Sequence, residues 1–289
     1  MHCFVALAFC LLTGAAVAAA PHGANAHPML EVLPDTVQPV HYDLTVSPDA
    51  DALEFHGRVA ITVDVRVATP EVTLNASGLT FDHATIDGGN DADVTTDAKL
   101  GRATLKFGVP VQPGIHIVAI AYHGKIGRTT LGFFAMDYSS SDGPRRTLAT
   151  NFEPAGARQL LPCWDEPDRK ATFTVSVDAP NNRMALSNMP VAEVKLLSPT
   201  TQRVRFAPSP NMSTYLLFLA VGDFERIHRQ VDGVDVGIVV KRGDTAKAAY
   251  ALDQASTILH YYNDYFGVAY ALPIQPRGPE PGLSSHPAE

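Results

Sequence analysis

The sequence predicts a mainly β protein, a β-sandwich or saddle-like domain that gives way to a single α-helix near its C-terminus. Apolar residues recur at every second position in many short runs. Turn formers separate those runs, notably Asp87-Gly88-Gly89-Asn90, Gly101 and Pro113-Gly114. At Asp244 the spacing changes to three and four residues and keeps that rhythm to Phe266.

The strands follow in order. Pro34 and Pro39 mark an extended approach to the alternating Tyr42, Leu44 and Val46. Val59, Ile61, Val63, Val65 and Val67 line one face of the clearest strand, with Ala60, Thr62, Asp64 and Arg66 on the other. Each such branched side chain, once buried, contributes roughly 1.5–3 kcal/mol before entropy is subtracted. Further strands are expected at residues 72–74, 103–107, 115–122, 171–178 and 203–206. Residues 215–221 form a continuous apolar run, expected to be a strand buried on both faces, and residues 234–240 end the series. Residues 137–146 (DYSSSDGPRR) read as a mobile surface loop.

In the helix, Ala248, Leu252, Ala255, Leu259, Tyr262 and Phe266 share a face, Asp244 suits the N-cap and Gly267 the C-terminal stop. His260 has no second ligand at helical spacing, and Tyr261, Tyr262, Tyr265 and Phe266 read as packing surface.

Composition removes several classes of function. The net charge is −8 and no basic run exceeds two residues, which argues against nucleic acid as a partner. Residues 1–20 are apolar or small and end in an Ala-rich cluster, the layout of a cleavable signal peptide, with a membrane signal-anchor as the rival. Export to the periplasm or the extracellular space is therefore expected. Cleavage would remove Cys3 and Cys10, leaving Cys163 without a disulfide partner and reading as a small buried hydrophobe.

Most of the unusual chemistry lies in residues 150–173, TNFEPAGARQLLPCWDEPDRKATF, which hold the only Trp. Pro154, Pro162 and Pro167 rule out one continuous helix or strand there. By residue type alone, its acids and bases would form surface ion pairs of little energy and Trp164 would anchor a loop. The string, however, closely resembles the hallmark of the zinc aminopeptidases typified by aminopeptidase N. Residues 162–167 match PCWDEP, residues 170–173 match KATF, and Glu153-Pro154 matches the family's acid and following proline.

That resemblance implies several things. The acid at Glu153 grips the free α-ammonium of a peptide substrate, and a carboxylate suits that task because the amine is a point cation. Asn151 stands where the family places Gln, with the same amide and one methylene less reach, and is the second substrate-binding candidate. Cys163, Trp164, Asp165, Glu166, Pro167 and Lys170 are implied to be architectural. Residues 28–243 correspond to the family's N-terminal β-domain. Residues 244–273 correspond to the start of a thermolysin-like catalytic domain that is cut short, and residues 274–289 read as a disordered aberrant tail.

The family uses catalytic zinc held by an HExxH helix, preceded by a GAMEN-type loop. No His-Glu dipeptide occurs in this chain and no two of its 11 His residues stand four apart, so no zinc and no metal ligands are expected on it. The implied substrates are peptide N-termini, with a separate catalytic chain as a possible partner. By this reading the chain carries the anchor acid and is inactive alone. The alternative is a non-enzymatic secreted β-sandwich binding module.

Overall fold

Alternating buried and half-exposed side chains shape the strands of the computed structural model, which describes residues 32–89, 91–140 and 143–271. The expected signal at residues 1–20 and the expected tail at residues 274–289 lie outside the described residues.

The first strand, β1 (Val37–Asp49), buries Tyr42, Leu44 and Val46 completely. Its register against β2 (Glu54–Val65) slips between Pro39 and His41, as a residue without an N–H requires within a ladder. In β2, Val59, Ile61, Val63 and Val65 are buried as expected. Val67 lies past the end of that strand and is 59% exposed, so the expected face of five apolar residues holds four.

Next come β3 (Thr69–Asn75), β4 (Leu79–Ile86), β5 (Asp93–Asp97), β6 (Arg102–Val111) and β7 (Gly114–Lys125). A hairpin, β8 (Gly132–Ser140) with β9 (Gly143–Asn151), leads into the hallmark segment. Beyond that segment run β10 (Thr172–Pro180), β11 (Met184–Ser187), β12 (Val191–Leu196), β13 (Thr201–Phe206) and β14 (Leu219–Gly222). The last strands are β15 (Phe224–Val231) and β16 (Val234–Lys241), and helix α1 (Thr245–Phe266) follows.

A seven-stranded sheet, ordered β12-β13-β10-β1-β2-β7-β4, is antiparallel except where β1 runs parallel to β10. Sheets β11-β14-β9-β8, β3-β6-β5 and β15-β16 complete the β structure. Side chains from the first three sheets share one hydrophobic core, including Leu44, Ile61, Leu74, Leu105, Phe133, Leu148 and Leu219.

Two further local expectations are corrected in the strands. Residues 137–146 belong largely to the β8–β9 hairpin, where Asp137 lies opposite Arg146 and Tyr138 opposite Arg145. The polar, serine-rich composition hid a ladder whose stability comes from backbone pairing and the Asp137 ion pairs to Arg128 and Arg146. Residues 215–221 do not form one strand. A 3-10 turn at Thr214–Leu216 interrupts them, and Leu216 and Phe218 are 47% and 38% exposed.

On α1, Ala248, Leu252 and Ser256 are buried, and the helix packs on β15 and β16. Tyr262 and Phe266 are exposed, so the final turn leaves the expected face, and Tyr261, Tyr262, Tyr265 and Phe266 pack against one another at the surface in stacked, tilted and edge-on pairs. Gly267 stops the helix in a left-handed conformation at φ 63°. Asp244 makes no side-chain cap; its carboxylate pairs with Lys241 and Lys247 instead. No helix among the described residues is long and apolar enough to cross a membrane.

Candidate functional site

The hallmark segment is a clamp that ties distant strands together. Trp164 is 1% exposed, and its backbone N–H donates to the Tyr42 hydroxyl at 3.2 Å. The Tyr42 ring in turn stacks on Phe173 with centroids 4.8 Å apart. Cys163 pairs with Asn75 at the end of β3 through reciprocal backbone hydrogen bonds of 2.8 and 3.0 Å. Burial pushes the Cys163 thiol well above its ordinary pKa, with the Asp165 charge adding to it, so it stays protonated and is no nucleophile.

Asp165 is the centre of the clamp. Its carboxylate accepts from the Arg158 backbone N–H at 3.2 Å, Arg158 Nε at 2.9 Å and Thr214 Oγ1 at 2.7 Å. Its own N–H donates to Asn75 Oδ1 at 2.9 Å. Glu166 accepts from the Leu33 N–H at 2.6 Å and from Arg169 Nε at 3.2 Å, and Arg169 reaches on to Asp35. Ser213 Oγ donates to the Pro167 carbonyl, while Lys170 is exposed. Arg158, Asp165, Glu166 and Arg169 thus all have partners drawn from outside the loop or from its own turn. These contacts tie residues 163–167 into the fold.

Glu153 stands differently. It lies two residues beyond Asn151, the end of β9, between buried Phe152 and exposed Pro154, and it is itself exposed. The Glu153–Pro154 peptide is cis. Asn151 shapes the turn: its Nδ2 donates to the Thr130 carbonyl at 3.0 Å, and its Oδ1 accepts from the Glu153 N–H at 3.4 Å. Opposite Asn151 on β8 sits Gly132, at φ 74°, where a Cβ would fall 2.3 Å from Gln159 Oε1. Among the described residues the Glu153 carboxylate enters no ion pair, and nearby Arg158 is committed to Asp165.

The turn therefore presents one uncompensated carboxylate on a rigid base, which suits recognition of a cation. It also shows that Asn151, a candidate for substrate contact, uses both polar ends of its amide on backbone groups.

Among the described residues no set of metal ligands for the zinc implied by the family resemblance lies beside Glu153. The metal-competent cluster among the described residues is His56, Asp82 and His123, on β2, β4 and β7 of the seven-stranded sheet, whereas Glu153 follows β9 of another sheet. The cluster itself went unseen in the sequence, because its members are 26 or more residues apart and meet only through strand register.

The model of the peptidase M1 N-terminal domain matches residues 38–216. The chain is 43% identical over 242 residues to an aminopeptidase N of Acetobacter pasteurianus, covering 83% of this chain and 68% of that protein. It is 32% identical over 250 residues to aminopeptidase M1 of Arabidopsis thaliana, covering 83% of this chain and 28% of that one. It is 31% identical over 268 residues to endoplasmic reticulum aminopeptidase 1 of Homo sapiens, covering 88% and 28%. Apart from the bacterial relative, the chain thus spans little more than a quarter of the length of these relatives.

Proposed function

This chain belongs to the peptidase M1 family, and from that premise we propose that it serves as the substrate-amine-binding part of an exported aminopeptidase. In this reading Glu153 receives the α-ammonium of a peptide N-terminus, Asn151 fixes the turn that presents it, and zinc-dependent cleavage of the first peptide bond is carried out by residues other than these. The observation that carries the reading is the exposed Glu153 carboxylate, which enters no ion pair among the described residues.

The chemistry is that of a charge-assisted hydrogen bond. A carboxylate and an ammonium 4 Å apart attract by about 1 kcal/mol in bulk water and about 4 kcal/mol at an effective dielectric of 20. Water exclusion at the site therefore decides how firmly the amine is held, and a catalytic part closing over Glu153 would supply it. A neutral, acylated N-terminus offers no charge and is refused, which is what restricts an enzyme of this kind to free N-termini. Export is supported by the apolar, small-residue character of residues 1–20.

The test is an NMR titration of the 289-residue chain with leucine amide and, separately, N-acetyl-leucine amide. Saturable shifts confined to residues around 151–156, seen with the free amine alone, are expected. Equal responses to both ligands, or none near Glu153, would overturn the reading.

A further inference from the structure

We propose that His56, Asp82 and His123 form a binding site for a divalent transition-metal cation of the Zn2+ or Ni2+ class on the outer face of the seven-stranded sheet. The three side chains come from adjacent strands: His56 on β2, His123 on β7 and Asp82 on β4. His56 and His123 are direct cross-strand partners. The register of β4 against β7 slips between Phe81 and His83, and that irregularity sets Asp82 beside His123, whose Nδ1 lies 2.9 Å from Asp82 Oδ1. One ligand atom from each residue can be chosen so that all three lie within 4.8 Å of one another.

That spacing fits an ion. Bonds of about 2.0–2.1 Å in a tetrahedral arrangement put ligand atoms about 3.3 Å apart. The 2.9 Å His123–Asp82 contact needs only to open slightly as the metal replaces the shared proton. The His56 ring tilts towards His123 with centroids 5.7 Å apart and makes no hydrogen bond among the described residues, so no existing bond must break for it to coordinate. Two imidazoles and one carboxylate form a borderline donor set that favours Zn2+, Ni2+ or Cu2+ over Mg2+ or Ca2+. One position is left for water, which a groove of ≈ 390 Å³ beside His56 and Asp82 admits.

The backbone beneath the pair is held in place. Phe55 lies opposite Gly124 and Gly57 opposite Tyr122, one step to either side of the histidines and on the buried face. A Cβ on Gly57 would fall 2.2 Å from the Tyr122 ring, and one on Gly124 would fall 2.8 Å from the Phe55 ring. These reciprocal glycine–aromatic contacts fix the separation of β2 and β7 where the histidines project. The charged neighbours on the face are largely compensated: Glu54 pairs with Lys125 and Asp178 with Arg203, leaving Arg58 as an added positive charge. Since β4 is the edge strand, an ion here would pin that edge to the two strands inside it.

The test is isothermal titration of the 289-residue chain with ZnCl2, NiCl2 and MgCl2, with thermal melting in parallel. Saturable binding of one Zn2+ or Ni2+ is expected, with a melting temperature that climbs with metal concentration and ignores Mg2+. His56→Ala, His123→Ala and Asp82→Asn should each weaken binding roughly tenfold or more, since loss of even a supporting partner costs that much. His56→Ala removes an exposed ring without hydrogen bonds, so its metal-free melting temperature should match the parent. His83→Ala, which removes a comparable pair with Asp91 at 2.9 Å, should leave binding intact. No saturable Zn2+ or Ni2+ binding, or binding equal in parent and His56→Ala, would overturn the proposal.

Discussion

Replacing Asp165 by Ala should destabilise this protein more than replacing any exposed acid. The Asp165 side chain is 1% exposed and accepts three hydrogen bonds, two of them from Arg158. Removing it strands the Arg158 guanidinium, 21% exposed, and the hydroxyl of Thr214, which is 1% exposed. Breaking a buried pair by deleting one partner costs about 3–5 kcal/mol. Because Arg158 retains a path to water, the lower end applies, about 3 kcal/mol. Domains are stable by about 5–15 kcal/mol, so the loss is a large share of the total.

The assay is urea unfolding followed by fluorescence of Trp164, with the midpoint falling and the slope unchanged. Asp165→Asn keeps the shape and one acceptor oxygen but turns an amide towards Arg158, and should lose about 2 kcal/mol. A loss below about 1 kcal/mol for Asp165→Ala would refute the idea that this carboxylate holds the clamp together.

Acid should weaken the fold. In Asp178, burial raises the pKa, but hydrogen bonds from Arg203 and Ser47 outweigh it and the net shift is downward from 3.8. Asp223 is lowered by its hydrogen bond from Arg242. A depressed folded pKa contributes stability above the unfolded value that is lost as pH falls through the folded one, so the urea midpoint should drop steeply below about pH 4. His116 has the opposite sign: its hydrogen bond to Asp87 raises it from 6.5, adding stability below that value that fades as pH rises through the folded pKa. A midpoint that stays level down to pH 3 contradicts both the sign and the partners. Gly57→Ala should cost about 1–3 kcal/mol by overpacking, as the new Cβ meets the buried Tyr122 ring; a neutral result would show that the ring moves aside. Finally, the 289-residue chain with added zinc should not hydrolyse an amino-acid anilide, and turnover above background would place catalytic machinery within it.

Much of the fold was legible because burial on one face writes itself as alternation. Tyr42, Leu44 and Val46, and Val59 to Val65, announce β1 and β2 in this way. Strands with weak alternation stayed hidden: β12 is exposed throughout, and β8 and β9 carry serines, glycines and arginines that read as loop. Their stability lies in ladder pairing, which leaves no periodic mark. The run at residues 215–221 misled in the other direction, since hydrophobicity alone does not distinguish a strand from a 3-10 turn that drops Leu217 into the core.

The anchor candidate Glu153 was visible only through its resemblance to a family pattern, as one exposed acid among 30 acidic residues has no signature of its own. Arg158 shows the reverse: its position between acids leaves its partner open, and only the fold gives it to Asp165. His56, Asp82 and His123 were out of reach, because cross-strand register joins residues at spacings no linear motif encodes.

The central claim is that the Glu153 carboxylate itself grips the amine. Leucine amide affinity, measured by NMR for the parent chain and for Glu153→Gln, tests it most directly. Since Glu153 is exposed and unpaired, the variant should keep the parent's melting temperature while saturable shifts at residues 151–156 vanish. Unchanged affinity in Glu153→Gln would contradict the account, because the amine would then be held by some other group.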